Sequence, residues 1–244
     1  VNRTATIVVL VSATAAFAVV VLIRALAAPG LALDHTLWFW IVACVVGEGL
    51  WLRLPVGNAT LSMASCFNLA ALLVLPMGHA VIATALASIA VEATVMRKPW
   101  VRCLYNASHT VLAVGAASAA FTWLAGGERD LVGMITNVKL VPFAAAALVY
   151  YAVNRVAVTL AVAVHEGLTA RVAWERNFGN AYEVLSTGAV FSLGILLAVH
   201  YAGIGMVGTL LVLLPLVLAA DGYRRFTQRD ESVPGETPKE RKAA

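Results

Sequence analysis

The sequence predicts an all-α fold: a polytopic transmembrane helical bundle of about eight spans, one of them short or discontinuous. Three observations carry this reading. Residues that are 61% hydrophobic and only 12% charged, at a mean hydropathy of +0.86, are too apolar for a soluble domain and exclude disorder. The apolar residues gather into runs of about 20, the length that crosses a hydrocarbon core. Between two such runs lies the short basic turn of Arg97, Lys98 and Pro99, and basic turns of this kind stay on the cytoplasmic side.

Span one runs from about Thr4 to Ala27 and ends at Pro29 and Gly30. It continues to about Ile23, longer than a signal-peptide core, and no clear small-x-small cleavage site closes it before Pro29, so it reads as a span. Span two covers about Thr36 to Leu52, with Trp38, Trp40 and Trp51 suited to the interfaces. Span three, Leu61 to Leu75, is too short to cross unaided and follows Pro55, Gly57 and Asn58. The spacing therefore predicts an irregular lead-in over 52–62, shielded by protein, since unsatisfied backbone is not tolerated against lipid. Span four runs from about His79 to Met96, span five from Val101 to Ala125 and span six from about Leu140 to His165, where Pro142 suits a first helical turn. Residues Leu168 to Asn180 interleave Val172, Trp174 and Phe178 with Arg171, Glu175 and Arg176, a pattern for a helix lying in the interface. Spans seven, about Tyr182 to Tyr201, and eight, about Ile204 to Gly222, complete a bundle over 1–226. The charged residues 227–244 lack apolar periodicity and read as a disordered cytoplasmic tail.

With this layout most of the 17 Lys and Arg residues fall on one side, with both termini, and the outer loops keep Arg24, Arg129 and Lys139. That bias places both termini in the cytoplasm. The basic residues follow topology rather than forming a patch, which argues against nucleic acid and leaves the lipid bilayer as the first partner. Cys44, Cys66 and Cys103 stand singly, without the paired spacing of a zinc or redox site. Metalloprotease, serine-hydrolase and phosphate-loop motifs are absent, so an enzyme is unsupported.

The remaining signal is a set of polar residues inside spans. Glu48, Asn68, Glu92, Asn106, His109, Asn154 and Arg155 all fall in the inner half or near the midplane. Asn106 and His109 are three apart and share a helix face. An unpaired arginine at this depth is unfavourable by about 2.5 to 3.5 kcal/mol, so Arg155 is expected to seek an acid. Glu92 or Glu48 is the expected partner, with the long side chain reaching toward the inner surface. Together these residues outline a polar, ligand-binding pocket, although helix packing alone also uses buried polar groups. No residue pattern names a cofactor, and a pigment, quinone or metal stays open through His109 or His200.

The succession of a Leu-Pro-Val lead-in at Leu54, the turn with Pro99, Trp100 and Asn106, Asn154 in span six, Trp174 and Asn177, and a last span into Tyr223, Arg224 and Arg225 resembles a known family. It is similar to the bacterial integral membrane modules found ahead of HD-GYP or GGDEF cyclic-di-GMP output domains. The resemblance implies an inner-membrane module that senses or anchors and brings no catalytic residues. Here the sequence stops where the output domain would begin. The expectation is a non-enzymatic sensory or ligand-binding module acting through a protein partner in the membrane or at its cytoplasmic face. A looser likeness to vitamin-capture subunits of energy-coupled importers gives the alternative of a transporter subunit, and a structural subunit of a larger complex is the third.

Overall fold

A computed structural model describes residues 3–27, 32–53, 60–179 and 181–230. The expected breaks at Pro29, Gly30, Pro55, Gly57 and Asn58, and the tail from residue 231 onward, lie outside these residues. Among the described residues the regular structure is helical apart from one small ribbon, and five of the helices are long and apolar enough to cross a membrane.

Helix α1 (Arg3–Leu26) is followed by α2 (His35–Gly49), whose first turn is capped by Asp34 accepting the Leu37 N–H at 2.9 Å. The expected second span stops short, because the chain becomes extended at Leu50. Strands β1 (Trp51–Arg53) and β2 (Thr60–Ser62) then pair antiparallel, with Trp51 opposite Ser62 and Arg53 opposite Thr60. The ribbon is the irregular lead-in that the short third span calls for, and its ladder satisfies backbone groups that lipid would leave bare.

The next helix, α3 (Ala64–Val74), is only 11 residues, about 16 Å at 1.5 Å per residue. Apart from Ser65 and Asn68 it is apolar, and it is buried along nearly all its length, with Cys66, Phe67, Leu69, Ala70, Ala71 and Leu72 fully covered. Helices α2, α4 (Met77–Ala90), α5 (Trp100–Leu124), α7 (Val141–Glu166) and α9 (Ala181–Asp230) surround it. A half-length helix is tolerated in the bundle because protein rather than lipid meets its ends. Glycine permits the closest of these contacts: a Cβ on Gly194 of α9 would lie 2.7 Å from the Cys66 carbonyl oxygen of α3.

Helix α4 does not reach Met96 as a regular helix. Its last stretch, Val91–Val95, is a π-helical turn closed by the Met96 N–H to the Val91 carbonyl at 2.9 Å, and Arg97 then takes a left-handed conformation, φ 50°. After α5, a six-residue helix α6 (Leu131–Thr136), capped by Asp130, packs against α9. Helix α7 carries Pro142 in its first turn as expected and ends at Gly167, φ 71°. The amphipathic stretch is α8 (Ala170–Phe178), capped by Thr169.

Helix α9 is two helical legs meeting at Gly205, whose φ of 71° and ψ of −169° are non-helical. It extends to Asp230, four residues into the segment expected to be disordered. Side-chain contacts orient the bundle. The guanidinium of Arg3 donates to the Val164 carbonyl, so α1 begins where α7 ends. His79, at the start of α4, meets the Ala32 backbone ahead of α2. The end of α2, the π turn and the start of α5 therefore gather at the Arg3 end of the molecule.

Candidate functional site

The π turn determines where Glu92 points. One extra residue in the turn shifts the helix register, and such insertions recur at functional sites. Glu92 is carried inward to 5% exposure. One carboxylate oxygen, Oε1, accepts from Lys98 Nζ at 2.7 Å and from Asn106 Nδ2 at 2.6 Å. The backbone repeats the connection, since the Lys98 N–H donates to the Glu92 carbonyl at 3.0 Å. Thus the short turn bends Lys98 back over the acid that precedes it, while α5 supplies the amide. The other oxygen, Oε2, is buried with no hydrogen-bond partner.

Glu48, at the end of α2, is also buried and lies within electrostatic reach of Glu92 and Lys98. It shares a hydrogen bond with the Asn68 side chain of α3. Asn68 Nδ2 in turn donates to the Tyr150 hydroxyl of α7 at 3.2 Å, and Asn68 Oδ1 has no partner. His109 is buried one turn deeper than Asn106, close enough to feel the Lys98 charge, with its ring 5.6 Å from that of Tyr105 and its Nδ1 unbonded. Three helices and the π turn thus bring Glu48, Asn68, Glu92, Asn106 and His109 into one region.

Arg155 does not join them, and the expected pairing with Glu92 or Glu48 is corrected here. Its Nη2 is bound to Glu183 Oε1 and donates to Thr187 Oγ1 at 3.0 Å, both on α9. Thr187 also donates to Glu183 at 2.9 Å, and the Tyr151 hydroxyl donates to the second Glu183 oxygen at 3.3 Å. The guanidinium lies over the Phe178 ring of α8 at 4.5 Å and the Tyr151 ring at 5.4 Å. Lys98 occupies the position by Glu92 that the sequence reading gave to Arg155, and Arg155 faces away from α2 and α4 across α7. Among the described residues, Asn154 is half-buried beside Arg155 and joins neither network. Glu183 was overlooked because it sits at the start of a span, where an acid reads as an interfacial residue. Its signal was the i, i+4 spacing to Thr187, which puts a carboxylate and a hydroxyl on one helix face.

No three His, Cys, Asp or Glu side chains converge as a metal site among the described residues, and the three cysteines are separate and buried.

Long apolar helices packed round a short central one, with polar and charged side chains drawn into the interior at one end, define a helical membrane protein. The family model MASE9, a membrane-associated sensor domain family, matches residues 31–221, and the chain belongs to that family. The resemblance read from the sequence holds at this level. The matched region contains both the Glu92 cluster and the Arg155–Glu183 pair. No curated protein and no solved structure matches the chain.

Proposed function

We propose that this chain is a non-enzymatic sensory module of the bacterial inner membrane, with about eight spans and both termini in the cytoplasm. It binds a small ligand at the cluster of Glu48, Asn68, Glu92, Asn106 and His109, and acts through a partner at the cytoplasmic face. The observation that carries the reading is Glu92: ion-paired, presented by a π turn, and more than nine-tenths buried with one oxygen unbonded. Charge inside a membrane domain is costly and marks function by default. Membership of a sensor family supports the same reading. Through Asn68 and Tyr150 the cluster abuts α7, whose neighbouring face holds Glu183 of α9, so a change at the cluster has a packed route to the last helix.

The partner, following the resemblance, is a signalling protein of the cyclic-di-GMP type. Affinity purification of the full chain from its own membranes tests this: a signalling protein should be retained by both the native chain and Glu92→Gln. Recovery of ATPase subunits would instead make the chain an uptake subunit.

A further inference from the structure

Arg97 and Arg102 stand on either side of the Pro99 turn, and both are exposed. Among the described residues neither side chain has a hydrogen bond or an ion pair. Nearby acids do not supply one. From residue 93 to residue 127 the chain holds no Asp or Glu, and Glu92, just before, is buried and bound to Lys98 and Asn106. At the same end of the bundle Glu166, Glu175 and Glu183 are bound to Arg176, Arg171 and Arg155. The fold gains little from either cation. Arg97 takes a left-handed conformation, and Arg102 lies in the first turn of α5, where the helix dipole opposes positive charge.

The same turn carries an apolar surface. Val95 and Trp100 are 70% and 72% exposed, and Val101 and Leu104 are exposed as well. A tryptophan at the end of a span suits the headgroup level of a bilayer, and arginine lays its stem along apolar surface while its charged head reaches the polar layer. A soluble acidic partner would match the two cations and leave Trp100 and its aliphatic neighbours uncovered. The complement to both halves of the surface is an anionic phospholipid, whose phosphate meets the arginines while its acyl chains cover the rest.

We propose that the turn from Val95 to Leu104 is a binding surface for anionic phospholipids, with Arg97 and Arg102 holding headgroup phosphates and Trp100 seated at the boundary of headgroup and acyl chain. The buried side of this turn is the segment that folds Lys98 over Glu92, so a bound lipid braces the Glu92 cluster from outside. The lipid surface goes beyond the ligand reading of that cluster and does not depend on it.

The test titrates the full chain in detergent with phosphatidylglycerol and, separately, with phosphatidylcholine of the same acyl chains, counting bound lipids by native mass spectrometry. The native chain should bind its first phosphatidylglycerol more tightly than phosphatidylcholine, and the preference should shrink as salt rises, because exposed charges are screened. Arg97→Gln and Arg102→Gln should each weaken phosphatidylglycerol binding by about fivefold, and the double variant by about 25-fold, with phosphatidylcholine unaffected. Arg97→Lys combined with Arg102→Lys keeps the charge and should keep the preference. Arg171→Gln removes an arginine already paired with Glu175 and should change neither lipid. Equal binding of the two lipids, a preference indifferent to salt, or one that survives the double Gln variant overturns the assignment. Displacement of the lipid by millimolar inorganic phosphate overturns it in favour of a soluble anion. Failure here leaves the reading of the Glu92 cluster to the copurification experiment.

Discussion

Arg155 is held inside the bundle by three kinds of contact at once: a carboxylate, a hydroxyl and an aromatic face. Hydrogen bonds to charged groups contribute about 1.5 to 3 kcal/mol, and a ring face adds about 0.5 to 2 kcal/mol depending on desolvation. Both ionic side chains remain partly exposed, 21% and 16%, so the lower ends of these ranges apply. Arg155→Ala should therefore lower stability by about 1 to 3 kcal/mol, measured by thermal or denaturant unfolding in detergent. The pairing itself is read by a double-mutant cycle: Arg155→Ala with Glu183→Gln should show a coupling of about 1 to 2 kcal/mol, while Arg155→Ala with Glu92→Gln should be additive. Additivity in the first cycle would mean that Arg155 and Glu183 do not interact. The position of each member of the polar set along its helix is readable in the sequence, because helix rise converts residue number into distance along the axis. Azimuth is not. Whether Arg155 faces α2 or α9 depends on how α7 is rotated in the bundle, and periodicity weakens as a guide to rotation when nearly every neighbour is apolar. Lys98 escaped notice for a related reason: a basic residue in a turn reads as topology, and only the left-handed Arg97 folds it back onto Glu92.

Among the elements, α3 has the greatest influence on the bundle because five helices use it as a common surface. Its closest neighbour is α9, admitted by Gly194. Replacing Gly194 with Ala puts a methyl group 2.7 Å from a backbone oxygen that cannot rotate away, so the helices must separate. A destabilisation of about 1 to 3 kcal/mol follows from overpacking of this kind. On the same helix Gly188 has nothing within 4 Å of its would-be Cβ, and Gly188→Ala should be neutral or slightly stabilising, by up to about 1 kcal/mol. Comparing the two melting temperatures separates helix propensity from helix contact. Equal effects would show that the α3–α9 approach is not close. The short, interrupted character of this region was visible from the length of the apolar run after Asn58 and the need to shield irregular backbone. The ribbon was not, since three-residue strands carry no period-2 signal, and neither was the π turn, which leaves no mark in composition.

At the scale of the whole molecule, the number of crossings depends on what happens at Gly205. Residues 181–219 form one predominantly apolar stretch, 39 residues long, with Gly205 inside it. As a single straight helix it would extend about 58 Å, nearly twice the hydrocarbon thickness of about 30 Å. Gly205 resolves this by adopting a backbone conformation essentially confined to glycine, and strain of about 1 to 3 kcal/mol would attend any other residue there. The first leg, residues 181–204, is long enough to cross on its own, which brings Gly205 to the surface opposite Arg3. Tyr201 sits beside Phe39 and Trp40 near the start of α2, consistent with that end. With the basic turn at Lys98 inside, a reporter inserted at Gly205 should then read outside, as should one after Gly127, and reporters after Lys98 or at Ala244 should read inside. An inside reading at Gly205 with an outside reading at Gly127 would mean that the first leg does not cross, and the bundle would lose two of its expected spans. The reverse pattern at Lys98 and Gly127 would invert the whole molecule and place the cluster of Glu48, Asn68, Glu92, Asn106 and His109 near the outer face, out of reach of a partner at the cytoplasmic side.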